Sequence, residues 1–295
     1  MKLSKGIQYM LLSTFLFACM NVLVKLVSNI PAVEVVFFRS IISLIISYTI
    51  LKSKKINIWG NNKPLLIARG AAGAIGLVLY FMIIQQIPLA TAVTLQFLAP
   101  IVTAILGMLI LKEKVKGWQW LFFLLSFGGI LVVNGFDARV EPLHLLMGIM
   151  AALGAGMAYT IIRKLNTTEH PLVIVMYFPL VTVPITGTYS ALHWQMPQGI
   201  EWLTLLGIGV LTQFAQFYLT KSFQQEEINK VASLKYLNIL YALFFGYVFF
   251  EETFNLYTYL GMLLVVAGVI LNIWYKQRTT KEAEESQKAR VKKTA

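Results

Sequence analysis

The sequence predicts an all-α membrane protein of ten transmembrane helices, arranged as two inverted repeats of five helices. Of its 295 residues, 58% are apolar and only 13% are charged, whereas soluble domains have about 45–50% apolar and about 25% charged residues. Ten apolar segments follow one another along the chain, and the second half repeats the pattern of the first. This composition argues against a water-soluble enzyme or a DNA-binding module, in spite of the net charge of +12.

Each apolar segment is long enough to be a helix that crosses a bilayer, which needs about 20 residues, and none shows the alternation of a barrel strand. The first five cover residues 7–27, 33–51, 65–87, 90–111 and 118–134. The second five cover residues 143–162, 172–192, 202–223, 231–250 and 256–275. Glycines at 70, 73 and 76 on the third span, and small residues at 151, 154, 155 and 156 on the sixth, each predict close approach of a neighbouring helix. Prolines inside spans, at 100, 179 and 184, predict kinks.

Basic residues predict the orientation of the bundle. With the N-terminus in the cytoplasm, 21 of the 25 Lys and Arg residues, Arg69 among them, fall in cytoplasmic segments, and the outer loops hold only Arg139. Lys and Arg are retained on the cytoplasmic side, and the number of spans is even. We therefore expect a multi-pass protein of the cell membrane with both termini in the cytoplasm. The segment 277–295 is predicted to be a disordered basic tail that contacts anionic lipid headgroups at most.

An offset of 139 residues aligns the two halves. It places Gly107 on Gly246, Glu113 on Glu252 and Gly129 on Gly268, and several leucines also coincide. Because each half has an odd number of spans, the second copy must be inverted, a plan by which many transporters reach two oppositely facing states. The predicted organisation is a first repeat at 1–136, a second repeat at 137–276 and the tail at 277–295.

Short motifs also carry a resemblance to a known family. They are the stretch FACMNVLVK at 17–25, Arg39 in the second span, the segment from LAP at 98–100 to LKEK at 111–114, and the segment 246–252. In order, spacing and span count the chain resembles the EamA family of the drug/metabolite transporter superfamily over nearly its whole length. This resemblance implies a ten-helix carrier of small metabolites with a central cavity, working by alternating access. The chain departs from the family pattern at Asn238, where proline is usual, and at Lys235, where an apolar residue is usual.

Three basic residues are not assigned to any loop or cytoplasmic segment and are expected within the spans: Lys25, Arg39 and Lys235. An uncompensated charge at mid-span costs roughly 2.5–3.5 kcal/mol, so each should face the protein interior and meet water, a partner or a ligand. Snorkelling to the interface is the alternative for the two lysines. A buried structural pair is the alternative for Arg39, although Glu34 is too near in sequence to face it well.

Neutral polar side chains complete the candidate binding set, with a simple interhelical hydrogen bond as the alternative for each. Asn21 shares a helix face with Lys25, Gln213 shares one with Gln216, and Gln96 is the repeat counterpart of Lys235. The candidate substrate-binding residues are Asn21, Lys25, Arg39, Tyr80, Gln96, Tyr159, Gln213, Gln216, Lys235 and Tyr236. Because this lining is more cationic than anionic, it indicates an amino acid or another carboxylate-bearing solute.

The predicted function is a metabolite carrier, with a noncatalytic lipid scramblase or membrane assembly factor as the alternative. No carboxylate or histidine lies near a span centre, which favours a facilitator, an exchanger or coupling through another group over a proton relay. The sequence contains no nucleophile and base within the spans, no metal cluster and no phosphate-binding loop. We therefore expect no catalytic or metal-binding residues and no cofactor. The expected partners are a small-molecule metabolite and membrane lipids, and no nucleic acid.

Overall fold

The computed structural model describes residues 4–111, 117–165, 168–225 and 233–294, and within these ranges it contains helices and no strand. The first half contains α1 (Lys5–Leu26), α2 (Ala32–Ser53), α3 (Lys63–Gln86), α4 (Leu89–Gln96), α5 (Ala99–Leu111) and α6 (Gly117–Phe136). The second half contains α7 (Pro142–Leu165), α8 (Pro171–Leu192), α9 (Glu201–Gln225), a 3-10 helix (Ser233–Tyr236), α10 (Leu237–Phe250) and α11 (Leu256–Thr294).

In the described part of the chain, seven segments are long and apolar enough to cross a membrane, with α4 and α5 counted together as Leu89–Ile110. Three further apolar helices are shorter: Gly117–Val133, Leu237–Phe250 and Leu256–Asn272. The predicted class of an all-helical membrane protein is therefore confirmed, and three of the ten predicted crossings correspond to shorter helices. The last helix continues through Thr294, into the segment for which the sequence predicts disorder.

The described backbone departs from regular α-helix at the same repeat position in each half. The break between α4 and α5 falls at residues 97–98, just ahead of Pro100, which has no N–H to donate to the carbonyl group of Gln96. The predicted kink at Pro100 is thus a full interruption. In the second half, the 3-10 helix gives way to α10 after Tyr236, which is 139 residues beyond Phe97. By contrast, α8 continues through both Pro179 and Pro184.

Equivalent helices of the two halves pack against each other and run antiparallel. Near the start of α6, Gln119 Nε2 donates to Asn272 Oδ1 of α11 over 2.9 Å. Further along α6, Ser126 Oγ donates to the carbonyl oxygen of Val265, earlier in α11, over 3.2 Å. Helices α2 and α8, which both begin and end 139 residues apart, also pack together. A two-fold rotation axis can exchange two antiparallel helices only if the axis is perpendicular to both of them.

Small residues bring α3 and α7 into backbone contact, as the glycine pattern predicts. A Cβ atom on Gly76 would lie 2.9 Å from the carbonyl oxygen of Ala151 and 2.9 Å from the amide nitrogen of Ala155. On the same helix, Gly70 lies against Tyr177 and Val181 of α8. This close packing covers the face of α3 that points towards the second half of the chain.

Candidate functional site

A cavity between α2, α3, α8 and α9 contains two arginine side chains. Its volume is about 340 Å³, counting space that is open to solvent. Two of the helices belong to the first half of the chain and two to the second. The lining residues are Arg39, Ser43, Ser47, Arg69, Val175, Phe178, Pro179, Thr212, Gln213 and Gln216.

Arg39 reaches the cavity from the second turn of α2 and is only 6% exposed. Its Nε donates to Thr212 Oγ1 of α9 over 3.2 Å, whereas its Nη1 is buried without a hydrogen-bond partner. The guanidinium carbon lies 5.4 Å from the ring centroid of Phe178 and 5.9 Å from that of Phe81. Glu34 lies one turn earlier and accepts a hydrogen bond from the Gln195 amide over 3.1 Å, and does not form a salt bridge with Arg39.

Arg69 is a functional candidate that the sequence prediction missed, because the charge bias placed it in a cytoplasmic segment. It lies in the second turn of α3, and its Nε and Nη1 atoms are buried without a hydrogen-bond partner. Its guanidinium carbon lies 5.0 Å from the ring centroid of Phe178. The neighbouring Gly70 lets α8 approach closely enough to cover this side chain. Its position inside the predicted span 65–87 was the signal that could have identified it.

The two guanidinium groups lack a counter-ion in the described part of the chain, where the salt bridges join Lys25 to Glu252 and Arg139 to Asp137. At an effective dielectric constant of about 20, two unit charges about 10 Å apart repel each other by about 2 kcal/mol. Guanidinium groups with unpaired N–H edges bind carboxylates bidentately. The cavity is therefore suited to an anion.

Three of the predicted binding residues meet in this cavity: Arg39, Gln213 and Gln216. The two glutamines lie on one face of α9, as their spacing predicts. The amide groups supply neutral donors and acceptors beside the two charges.

Four other predicted residues lie near one another outside this lining. Asn21 Nδ2 donates to Tyr80 Oη over 3.2 Å in the buried core, and the Asn21 Oδ1 atom has no hydrogen-bond partner. Lys235 Nζ lies 5.8 Å from the ring centroid of Tyr159. Tyr159 interacts electrostatically with both Arg69, which lines the cavity, and Tyr80.

The last two predicted binding residues, Gln96 and Tyr236, say less about the site. Gln96, at the end of α4, has a buried Oε1 atom without a hydrogen-bond partner. Tyr236 ends the 3-10 helix, and its side chain lies outside the described residues.

Lys25 lies at one end of the bundle and does not line the cavity. Its Nζ lies 2.8 Å from Glu252 Oε1, and it donates to the carbonyl oxygen of Ile87 over 2.6 Å. The Glu252 carboxylate also accepts from the Leu89 amide, at the first residue of α4, over 2.8 and 3.0 Å. A carboxylate is favourable at a helix N-terminus. We call the Lys25–Glu252 salt bridge, together with its hydrogen bonds to Ile87 and Leu89, the terminal ion pair.

The backbone after α10 positions this carboxylate. Glu251 adopts a left-handed φ of +53°, and the Glu252 amide donates to the carbonyl oxygen of Gly246 over 3.0 Å, closing the helix C-terminus. A Cβ atom on Gly246 would lie 2.5 Å from the carboxylate, so glycine leaves the room that Glu252 occupies. The repeat counterpart of Glu252, Glu113, lies outside the described residues.

A multi-pass helical bundle with a buried polar cavity between its two halves is the architecture of a membrane transporter of small solutes. The chain belongs to the EamA-like transporter family, part of the drug/metabolite transporter superfamily, and matches it over residues 4–135 and 143–274.

Individual relatives are also transporters by name. The pseudopaline exporter CntI of Pseudomonas aeruginosa is 31% identical over 91% of this chain and 95% of its own. Solute carrier family 35 member G1 of Homo sapiens is 30% identical over 92% of this chain and 80% of its own. A crystal structure with 16% identity covers 93% of this chain and 97% of its own with a TM-score of 0.61, which is a similarity of fold. The family and these names indicate a transporter and not an enzyme.

Proposed function

We propose that this protein is a carrier that moves a carboxylate-bearing metabolite, such as an amino acid, across the cell membrane by alternating access. The observation that carries the proposal is the pair of buried guanidinium groups in one cavity, without an acidic partner among the residues that the structure describes. A buried, unpaired charge is costly, and in membrane proteins such charges mark substrate and ion pathways.

Alternating access requires two units that can exchange roles, and we propose that the two halves are these units, inverted relative to each other. Antiparallel packing of the equivalent helices α6 and α11 supports this arrangement. The cavity lies between α2 and α3 of one half and α8 and α9 of the other, which are equivalent pairs at the repeat offset. Rocking of one half against the other would expose the cavity to each side in turn. Both termini are placed in the cytoplasm by the distribution of basic residues.

The side chains take different roles in this proposal. Arg39 and Arg69 bind the carboxylate, and Gln213 and Gln216 hydrogen-bond to the neutral part of the solute. The other predicted residues are assigned to the path of the solute in this proposal: Asn21, Tyr80, Gln96, Tyr159, Lys235 and Tyr236. Lys25 acts at the end of the bundle, because its charge is already matched by Glu252.

Similarity to a relative named as an exporter favours outward transport. A lipid scramblase, the alternative, would use a polar groove along the membrane-facing surface, whereas the two guanidinium groups here lie between four helices and beside Phe178.

The proposal is tested by comparing the metabolites retained by cells with and without the protein, after separation of the extracts by anion exchange. We expect the compounds that change to be anionic. Arg39→Ala should abolish the change while the protein still inserts into the membrane. Arg139→Ala serves as the matched control, since it also removes one arginine but lies outside the cavity lining, in a pair with Asp137.

Changes confined to compounds without a carboxylate, or wild-type flux in Arg39→Ala, would contradict the proposal. Transfer of a fluorescent phospholipid between leaflets of proteoliposomes, undiminished by Arg39→Ala, would favour the scramblase.

A further inference from the structure

We infer that the solute carries two acidic groups, one bound by Arg39 and the other by Arg69, so that the carrier transports dicarboxylates in preference to monocarboxylates. This inference rests on the proposed function and deepens it.

The first step is geometric. The guanidinium carbons of Arg39 and Arg69 lie 5.4 and 5.0 Å from the centroid of the same Phe178 ring, so their separation cannot exceed the sum of these distances. A single small solute can therefore contact both groups. Because Arg39 belongs to α2 and Arg69 to α3, while Phe178 belongs to α8, such a solute would also lie between the two halves of the chain.

The second step is the count of buried donors. Three guanidinium nitrogens are buried without a hydrogen-bond partner: Nη1 of Arg39 and both Nε and Nη1 of Arg69. A carboxylate that binds one guanidinium bidentately turns both of its oxygens towards that group. Its remaining lone pairs and the glutamine amides are weaker partners for the second guanidinium than a second acidic group of the solute.

The third step is charge. The other polar residues that line the cavity are neutral: Ser43, Ser47, Thr212, Gln213 and Gln216. A monocarboxylate therefore leaves one positive charge uncompensated in a buried site, whereas a dicarboxylate leaves the loaded cavity neutral. The Val175 and Phe178 side chains offer apolar contact to the carbon chain that links two carboxylates.

Matched pairs of ligands test this inference on the purified full-length protein. The probes are succinate, glutarate and adipate, each compared by isothermal titration calorimetry with its own monoamide, which has the same size but one negative charge. We expect at least one dicarboxylate to bind about tenfold or more tightly than its monoamide, because the monoamide leaves a charged donor unpaired.

Substitution of Arg69 assigns the second carboxylate. In Arg69→Gln the preference for the dicarboxylate should fall to near unity, while the monoamide still binds through Arg39. Arg69→Lys, which keeps the charge, should keep most of the preference, and Arg139→Gln should keep all of it. Size-exclusion profiles and helical circular dichroism establish that each variant is folded.

The outcomes distinguish a failure of the dicarboxylate inference from a failure of the carboxylate-carrier proposal. Equal binding of a dicarboxylate and its monoamide overturns the inference and leaves the carboxylate carrier standing. An unchanged preference in folded Arg69→Gln overturns the assignment of Arg69. Binding of none of the six probes counts against both the inference and the proposed function.

Discussion

Breaking the terminal ion pair should open one face of the bundle. Lys25 belongs to α1, Leu89 starts α4, and Glu252 lies in the connection between α10 and α11, so these contacts join the two halves at one end. The Lys25 and Glu252 side chains are 14% and 6% exposed. Phe250 covers Lys25 as well, with its ring centroid 5.3 Å from Nζ. The perturbations are Lys25→Met and Glu252→Gln, singly and together.

The expected free-energy cost of each substitution follows from the burial of the two side chains and from the number of bonds that they make. Pairs of contacting residues show coupling energies of about 0.5–3 kcal/mol, and removing one partner of a buried pair costs about 3–5 kcal/mol. Because both side chains retain some exposure, we expect about 2 kcal/mol for each single substitution. Since about 1.4 kcal/mol corresponds to a factor of ten, the population open at this end should rise by about thirtyfold. The double variant should open little further than either single one.

The assay uses a single cysteine in the cavity. Cys19 is the one cysteine in the chain, so Cys19→Ser with Ser43→Cys places the only thiol in the cavity lining. The labelling rate by a membrane-impermeant methanethiosulfonate is measured in whole cells and in inside-out vesicles. The labelling rate should rise in whole cells but not in inside-out vesicles, because the predicted topology places Lys25 on the outer side. Lys54→Gln removes an exposed lysine at the other end of α2 and should change the rate less than fivefold. An unchanged rate, or additive effects of Lys25→Met and Glu252→Gln, would refute the reasoning.

Three further predictions concern packing and hydrogen bonding. Gly76→Ala should lower the thermal unfolding temperature, because its Cβ would collide with the α7 backbone at a cost of about 1–3 kcal/mol. Gly128→Ala, whose Cβ meets no atom within 4 Å, should leave that temperature unchanged. Equal effects of the two substitutions would contradict the packing of α3 against α7. Tyr80→Phe removes the acceptor of a buried amide and should destabilise the protein by about 1–3 kcal/mol in thermal unfolding; wild-type stability would show that the bond contributes nothing. Thr212→Val releases Arg39 Nε and should weaken succinate binding severalfold by calorimetry without loss of fold, an effect that unchanged affinity would disprove.

The helices were predictable from the sequence because the bilayer imposes length and apolar composition on each of them. The interruption near Pro100 was predicted only as a kink. In the second half Asn238-Ile239 stand where proline is usual, yet the backbone before α10 is also irregular, in a 3-10 helix. The irregular backbone in that half therefore does not depend on proline.

The cavity was only partly predictable, because charge near the end of a span has two interpretations. Arg39 lies about 10 Å inside its span, measured at 1.5 Å per residue, which is too deep for escape to the interface. Arg69 lies nearer to its helix end and was counted with the cytoplasmic charges. Its burial depends on the approach of α8 over Gly70, a contact between segments more than 100 residues apart that hydropathy does not record. The partner of Lys25, Glu252, is similarly distant.

The charge of the cavity also bears on how the carrier completes its cycle. To return without solute, the protein must close around two unpaired guanidinium groups, with their mutual repulsion of about 2 kcal/mol and an insertion cost of roughly 2.5–3.5 kcal/mol for each. A bound dicarboxylate removes both penalties, so the loaded cavity closes more readily than the empty one. Interconversion of the two faces is then fastest when solute is bound on each stroke. On the proposed function, we therefore predict exchange of one acidic solute for another in preference to net movement by the empty carrier.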